Sequence, residues 1–124
     1  MVLEYSIVGG CLKLQKSIFI QEMLSKDSQL RTLLNWKTTK DFSVKHPFVG
    51  EPDKDNFVSI NFDSDSMVHI TESPKELLRG LKTKYKGKIK GRIACRAEYS
   101  MFGGIFTFEI DLDSEDEEIN YIMN

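Results

Sequence analysis

The sequence predicts an α+β fold: a largely antiparallel sheet built from hairpins, with two or three helices packed on one face, in a single domain over all 124 residues. Three observations carry this. Residues 88–113 alternate apolar and polar side chains in two runs joined by Ser100-Met101-Phe102-Gly103, the period of a half-buried strand pair. Ser73-Pro74-Lys75-Glu76 sets a Ser cap, a Pro and a Glu in the order of a helix start. Strand runs separated by single helices then sort into an antiparallel sheet covered on one side.

Taken in order, Val2 to Val8 and Cys11 to Leu14 flank Gly9-Gly10 and predict a first hairpin on a two-residue turn, with Ile7 opposite Leu12 and Tyr5 opposite Leu14. Ser17 to Leu24 fits two patterns, an extended strand through its even positions or a helical stripe through Phe19 and Met23. Leu30, Leu33 and Leu34 at i, i+3 and i+4 predict a helix over most of 27–36, capped by Asp27. Lys37 to Lys45 reads as a short polar strand, and His46 to Asn56, with Pro47, Gly50 and Pro52, as a long surface loop.

Asn56 to Phe62 and Met67 to Thr71 predict a middle hairpin turning at Asp63-Ser64-Asp65-Ser66, with Val58, Ile60 and Phe62 inward. The helix after Ser73 buries Leu77, Leu78, Leu81 and Tyr85 and stops at Gly87. In the long hairpin, Tyr99 opposite Gly104 sets Ala97 against Phe106, Cys95 against Phe108, Ile93 against Ile110 and Gly91 against Leu112. The outer face then sets Arg92 beside Asp111 and Lys90 beside Asp113. A slip of one residue would send the whole apolar face into water. Ser114-Glu115-Asp116-Glu117 repeats a capping pattern and predicts a short acidic helix over 115–123.

Composition bounds function only loosely. The chain is 40% hydrophobic and 29% charged, ordinary for a globular protein. No apolar stretch approaches the ~20 residues of a membrane helix, and Met1-Val2-Leu3-Glu4-Tyr5 lacks a secretory signal's basic segment, so the expectation is a cytoplasmic chain without membrane partners. Cys11 and Cys95 are too far apart for a CxxC knuckle and predict reduced thiols. Net charge is −2, unevenly spread: Lys75 to Arg96 holds nine bases and one acid, and Glu109 to Glu118 seven acids and no base.

Three site candidates follow. On the helix after Ser73, Lys75, Arg79, Lys82 and Lys86 recur at helical spacing and lead into Lys88, Lys90, Arg92 and Arg96, a ridge suited to phosphates or to balancing the acidic segment. Phe48 and Val49 with Glu51, Asp53 and Asp55 put an apolar centre inside a charged rim, an interface arrangement. Asp53-Lys54-Asp55-Asn56 opens like a calcium loop, but Val58 stands at the sixth position and Ser64 at the twelfth, where Gly and Glu are needed, so no metal is expected. Val58 to Val68, with Asp63 and Asp65 ending an apolar run, resembles the first motif of haloacid-dehalogenase phosphatases over about eleven residues. That resemblance implies an Asp nucleophile and an Asp general acid/base at the head of an α/β domain. Only 59 residues follow Asp65, mostly in antiparallel pattern, which does not fit such a domain.

The reading that results is a non-enzymatic protein-binding module without cofactor, of inhibitor or immunity type, acting by occluding a protein partner. Its contacts are Phe48, Val49, Glu51, Asp53 and Asp55, the helix stripe Lys75, Arg79, Lys82 and Lys86, or both. The alternatives are a nucleic-acid binder on the Lys75–Arg96 ridge and an enzyme with a site near Asp63, Asp65 and His69.

Overall fold

In the computed structural model, the structure describes residues 2–35, 48–63, 68–86, 88–99, 104–113 and 120–123. It is an α+β fold with, among the described residues, seven strands and three helices: β1 (Val2–Gln15), α1 (Lys16–Leu24), α2 (Gln29–Leu34), β2 (Phe48–Val49), β3 (Phe57–Phe62), β4 (Val68–Ile70), α3 (Pro74–Lys84), β5 (Ile89–Tyr99), β6 (Ile105–Asp111) and β7 (Asn120–Met123). The sheet runs β2-β3-β1-β5-β6-β7, with β4 also on β1, and every pairing is antiparallel. Among the described residues no helix is long and apolar enough to cross a membrane.

The expected first hairpin is instead one strand. β1 runs straight through Gly9-Gly10 and pairs with β5 from Val2↔Tyr99 to Leu14↔Ile89, with irregularities at Val2/Glu4 and Ile7/Gly9. The favoured two-residue hairpin turns need positive φ at the first central residue, and type I′ at both; of Gly9 and Gly10 only Gly10 has it, at 96°. The extra residue near Gly9 is a bulge. It shifts the inward phase from Tyr5 and Ile7 to Leu12 and Leu14, so the residues expected inward are inward, with Ile7, Leu12 and Leu14 fully buried.

Glycine is required where β1 and β5 press together. A Cβ on Gly10 would run into the Arg92 carbonyl oxygen and lie 2.7 Å from Ile93 Cα. A Cβ on Gly91, whose φ is 117°, would run into the Cys11 carbonyl oxygen.

The middle hairpin is also replaced. β3 pairs with the second half of β1, from Gly10↔Phe62 to Gln15↔Phe57, and β4 with its first half, from Tyr5↔Ile70 to Ile7↔Val68. The two lie end to end along one edge of β1, interrupted where β1 bulges, and Val58, Ile60 and Phe62 do face inward. The long hairpin has the expected register from Arg92↔Asp111 to Ala97↔Phe106. The expected register continues to Glu98↔Ile105 and to Gly91, whose carbonyl accepts from Leu112 N at 2.8 Å; Asp113 Oδ1 accepts from Gly91 N at 2.8 Å, and Phe106, expected inward, is 48% exposed.

Helices α1, α2 and α3 cover one face, where Ile18, Leu30, Leu33, Leu34, Leu78 and Leu81 join the inward strand residues in one core. α2 is capped by Ser28, whose Oγ accepts from Arg31 N at 3.0 Å, rather than by Asp27, and it starts later than expected. Ser73 caps α3 as its sequence predicts, accepting from Glu76 N at 3.4 Å with Pro74 in the first turn. The C-terminal helix is corrected over 120–123, which form β7 against β6, Phe108↔Met123 to Asp111↔Asn120: ladder pairing with the open edge of β6 wins over a capping pattern. The strand expected over Lys37–Lys45, the turn at 64–66, Gly87 and Ser114–Glu117 lie outside the described residues.

Candidate functional site

The acidic loop is braced by its own hydrogen bonds. Phe48 and Val49 pair with Asn61 and Ile60, and Val49 packs partly against the core, which roots the loop in the sheet. Asp53 Oδ1 accepts from Asp55 N at 2.9 Å and from Phe57 N at 3.0 Å, a local Asx arrangement. The Phe57 bond chiefly holds the Asp53 carboxyl below its ordinary range, against some desolvation and helped by the Asp55 bond, Lys13 and Lys54. Asn56 closes the turn at φ 66°, and its carbonyl accepts from Lys16 N at 2.9 Å, tying the loop to the start of α1. Glu51, Asp53 and Asp55 stay exposed. Among the described residues no three His, Cys, Asp or Glu are grouped to hold a metal ion.

The basic ridge is divided. Along α3, Arg79 Nη1 donates to Glu76 Oε1 at 3.1 Å, Lys82 is only 8% exposed, Lys75 is half-buried and Lys86 exposed. Leu78 and Leu81 turn α3 toward the inner face, whereas strand alternation puts Lys90, Arg92 and Arg96 on the outer face. Arg92 Nη2 donates to Asp111 Oδ2 at 3.1 Å with Glu109 Oε2 at 3.9 Å. The Asp111 carboxyl is held below its ordinary range, first by the Asp113 N–H and then by Arg92, against desolvation.

His69 has the company that pairwise spacing could not reveal. Its Nδ1 lies 2.9 Å from Ser6 Oγ and 2.8 Å from Glu4 Oε1, joining β1 to β4. A Ser–His–acid relay places the hydroxyl and the acid on different ring nitrogens; here both meet the same one, so the cluster orients the ring. Asp63 is exposed at the end of β3, and Asp65 lies outside the described residues. A cleft of about 390 Å³ opens nearby between α2 and the end of β4, lined by Lys26, Ser28, Arg31, Thr32, Thr71 and Glu72.

The most informative surface was not among the expected sites. Lys16-Ser-Ile-Phe-Ile-Gln-Glu-Met-Leu24 is apolar on several sides: Ile18 is buried, Phe19 and Met23 pack partly on the core, and Ile20 and Leu24 are 45% and 80% exposed. A helix that is apolar all round is ordinarily buried all round. Ile20 and Leu24 stand one turn apart, so they form one stripe. The sequence carried that signal, since two competing patterns over 17–24 mean that apolar residues outnumber what one face can hold.

No protein-family description matches the chain, and none of the curated proteins or solved structures compared with it is a match.

Proposed function

We propose that the chain is a non-enzymatic protein-binding module, of the occluding inhibitor or immunity type, that engages a partner through the outward face of α1. The observation that carries this is the Ile20–Leu24 stripe, two large side chains held in water by a helix whose other side already fills the core. Burying each would contribute roughly 1.5–3 kcal/mol. The acidic loop supports the same reading, because it is held by its own hydrogen bonds and joined to the first residue of α1. A preorganised loop loses little entropy on binding. Its exposed acids Glu51 and Asp55 suit a partner with an apolar groove and a basic rim, whose encounter they would steer.

The test compares three tagged chains in the source cells: the parent, Ile20→Glu with Leu24→Glu, and Lys75→Glu with Arg79→Glu. A stoichiometric protein held by the parent and the Lys75/Arg79 variant, and lost from the Ile20/Leu24 variant, supports the α1 face. Loss only from the Lys75/Arg79 variant, together with nucleic acid that leaves the parent steeply with salt, would replace it by the nucleic-acid reading.

A further inference from the structure

We propose that the solvent face of the sheet docks a second copy of this chain, face to face, about a two-fold axis that lies between the sheets and perpendicular to the strands. The register carries the argument. Lys13 stands directly opposite Lys90, and Glu4 directly opposite Glu98. Like charges directly opposite across a ladder are unfavourable, and here the same two strands carry two such pairs, of opposite sign, near opposite ends. Ala94 lies four residues from Lys90 and four from Glu98, and it pairs with Gly9. A two-fold through that point lays Lys90 over Glu98 of the second copy and Lys13 over its Glu4. Both unfavourable pairs are then neutralised twice.

The middle of the face suits close approach. Gly9, Cys11 and Ala94 present little beyond the backbone, so two sheets can reach the usual spacing of about 10 Å. Arg96 lies on this face with Nε buried and, among the described residues, without a hydrogen-bond partner. The same axis carries Arg96 over Arg92 of the second copy, whose guanidinium already sits against Asp111 and Glu109, so carboxylate acceptors lie beside it. Glu4 also holds His69 through Oε1, which fixes that end of the face. The two charged ends lie up to ~26 Å apart along extended strand, well over the ~8–10 Å screening length at moderate salt. Each end is therefore read separately, and a parallel arrangement, with lysines over lysines, is rejected.

The surface is distinct from the α1 stripe, which belongs to the helical side of the sheet, so the two readings fail separately. Sedimentation equilibrium of the parent is the first arm: the association constant falls by about tenfold or more between low and high salt, as screened ion pairs require. A charge exchange is the second arm. The Lys13→Glu/Lys90→Glu chain and the Glu4→Lys/Glu98→Lys chain are each monomeric, and an equimolar mixture of them restores the dimer. Ile20→Glu with Leu24→Glu dimerises like the parent. A parent that stays monomeric at millimolar concentration and low salt overturns the proposal. So does a dimer indifferent to salt, or one that both exchanged chains still form alone. Should an exchanged chain fail to fold by circular dichroism, the salt series on the parent decides.

Discussion

Glu22 sits in the core, 1% exposed, and holds the three helices together through one carboxylate. Oε1 accepts from Ser28 Oγ at 3.2 Å and Leu30 N at 3.3 Å, and Oε2 accepts from Tyr85 OH at 2.8 Å and Lys84 Nζ at 3.5 Å. A buried charge persists only when its lone pairs are met this fully. The same burial, with the Glu22 bond, raises the Tyr85 hydroxyl above its ordinary range. Glu22→Ala leaves the Ser28 hydroxyl and the Leu30 N–H unmatched and costs about 3 kcal/mol, against about 1 kcal/mol for Tyr85→Phe. Lys84→Met, removing a half-exposed partner, ranks last. Urea denaturation of the three variants checks the order, and a Glu22 variant as stable as the parent would remove the carboxylate from this role.

Cys95 makes a second prediction at the residue scale. Burial alone pushes its thiol from 9.0 up to about 12. Below pH 9 both folded and unfolded chains keep the proton, and the fold has its full stability. Above it the unfolded chain releases the proton first, so stability falls by about 1.4 kcal/mol per pH unit toward the folded value. The margin of the parent over Cys95→Ala therefore narrows between pH 7.5 and pH 10. Denaturation at the two pH values measures it, and a constant margin would mean that the thiol ionises in place.

Among the elements, β1 decides the topology, and two adjacent glycines test it. Gly10 has positive φ and no room for a Cβ, whereas a Cβ on Gly9 would meet only Ala94 Cβ at 3.7 Å. Gly10→Ala then costs at least ~2 kcal/mol, from left-handed strain of 1–2 kcal/mol plus the clash. Gly9→Ala stays within about 0.5 kcal/mol. A two-residue hairpin turn would make Gly9→Ala costly instead, since both favoured types need positive φ at the first central residue. The contrast also shows what was legible. An apolar phase that switches across Gly9-Gly10 fits a turn and a bulge equally, so Ile7, Leu12 and Leu14 are identified as core either way while the topology is not. The β5–β6 register was readable because each run has one phase and a short connection. The end-to-end placing of β3 and β4 was not, because it depends on a partner strand some fifty residues upstream (Leu12↔Ile60). The Glu4–Ser6–His69 cluster is invisible for the same reason.

For the molecule as a whole, the central strand is the first one made and its neighbours are made much later. Ile7 waits for Cys95 and Leu12 for Ile60, while Ile93 and Ile110 meet within one hairpin. Non-local pairing must offset loop closure before it gains contacts, so refolding belongs to the millisecond-to-second range of sheet-rich domains. Order follows from the same cost. That cost predicts that the β5–β6 hairpin forms before β1 inserts beside it and that β3 attaches only once β1 is in place. Ile110 and Ile60 are both fully buried, so Ile→Val at either costs about 0.5–1.5 kcal/mol. That loss divides differently between the rates: Ile110→Val slows folding, whereas Ile60→Val leaves folding nearly unchanged and speeds unfolding. Stopped-flow chevrons of the two variants measure the division. If Ile60→Val slows folding as much as Ile110→Val, β1 and β3 are already paired in the transition state and the hairpin does not lead.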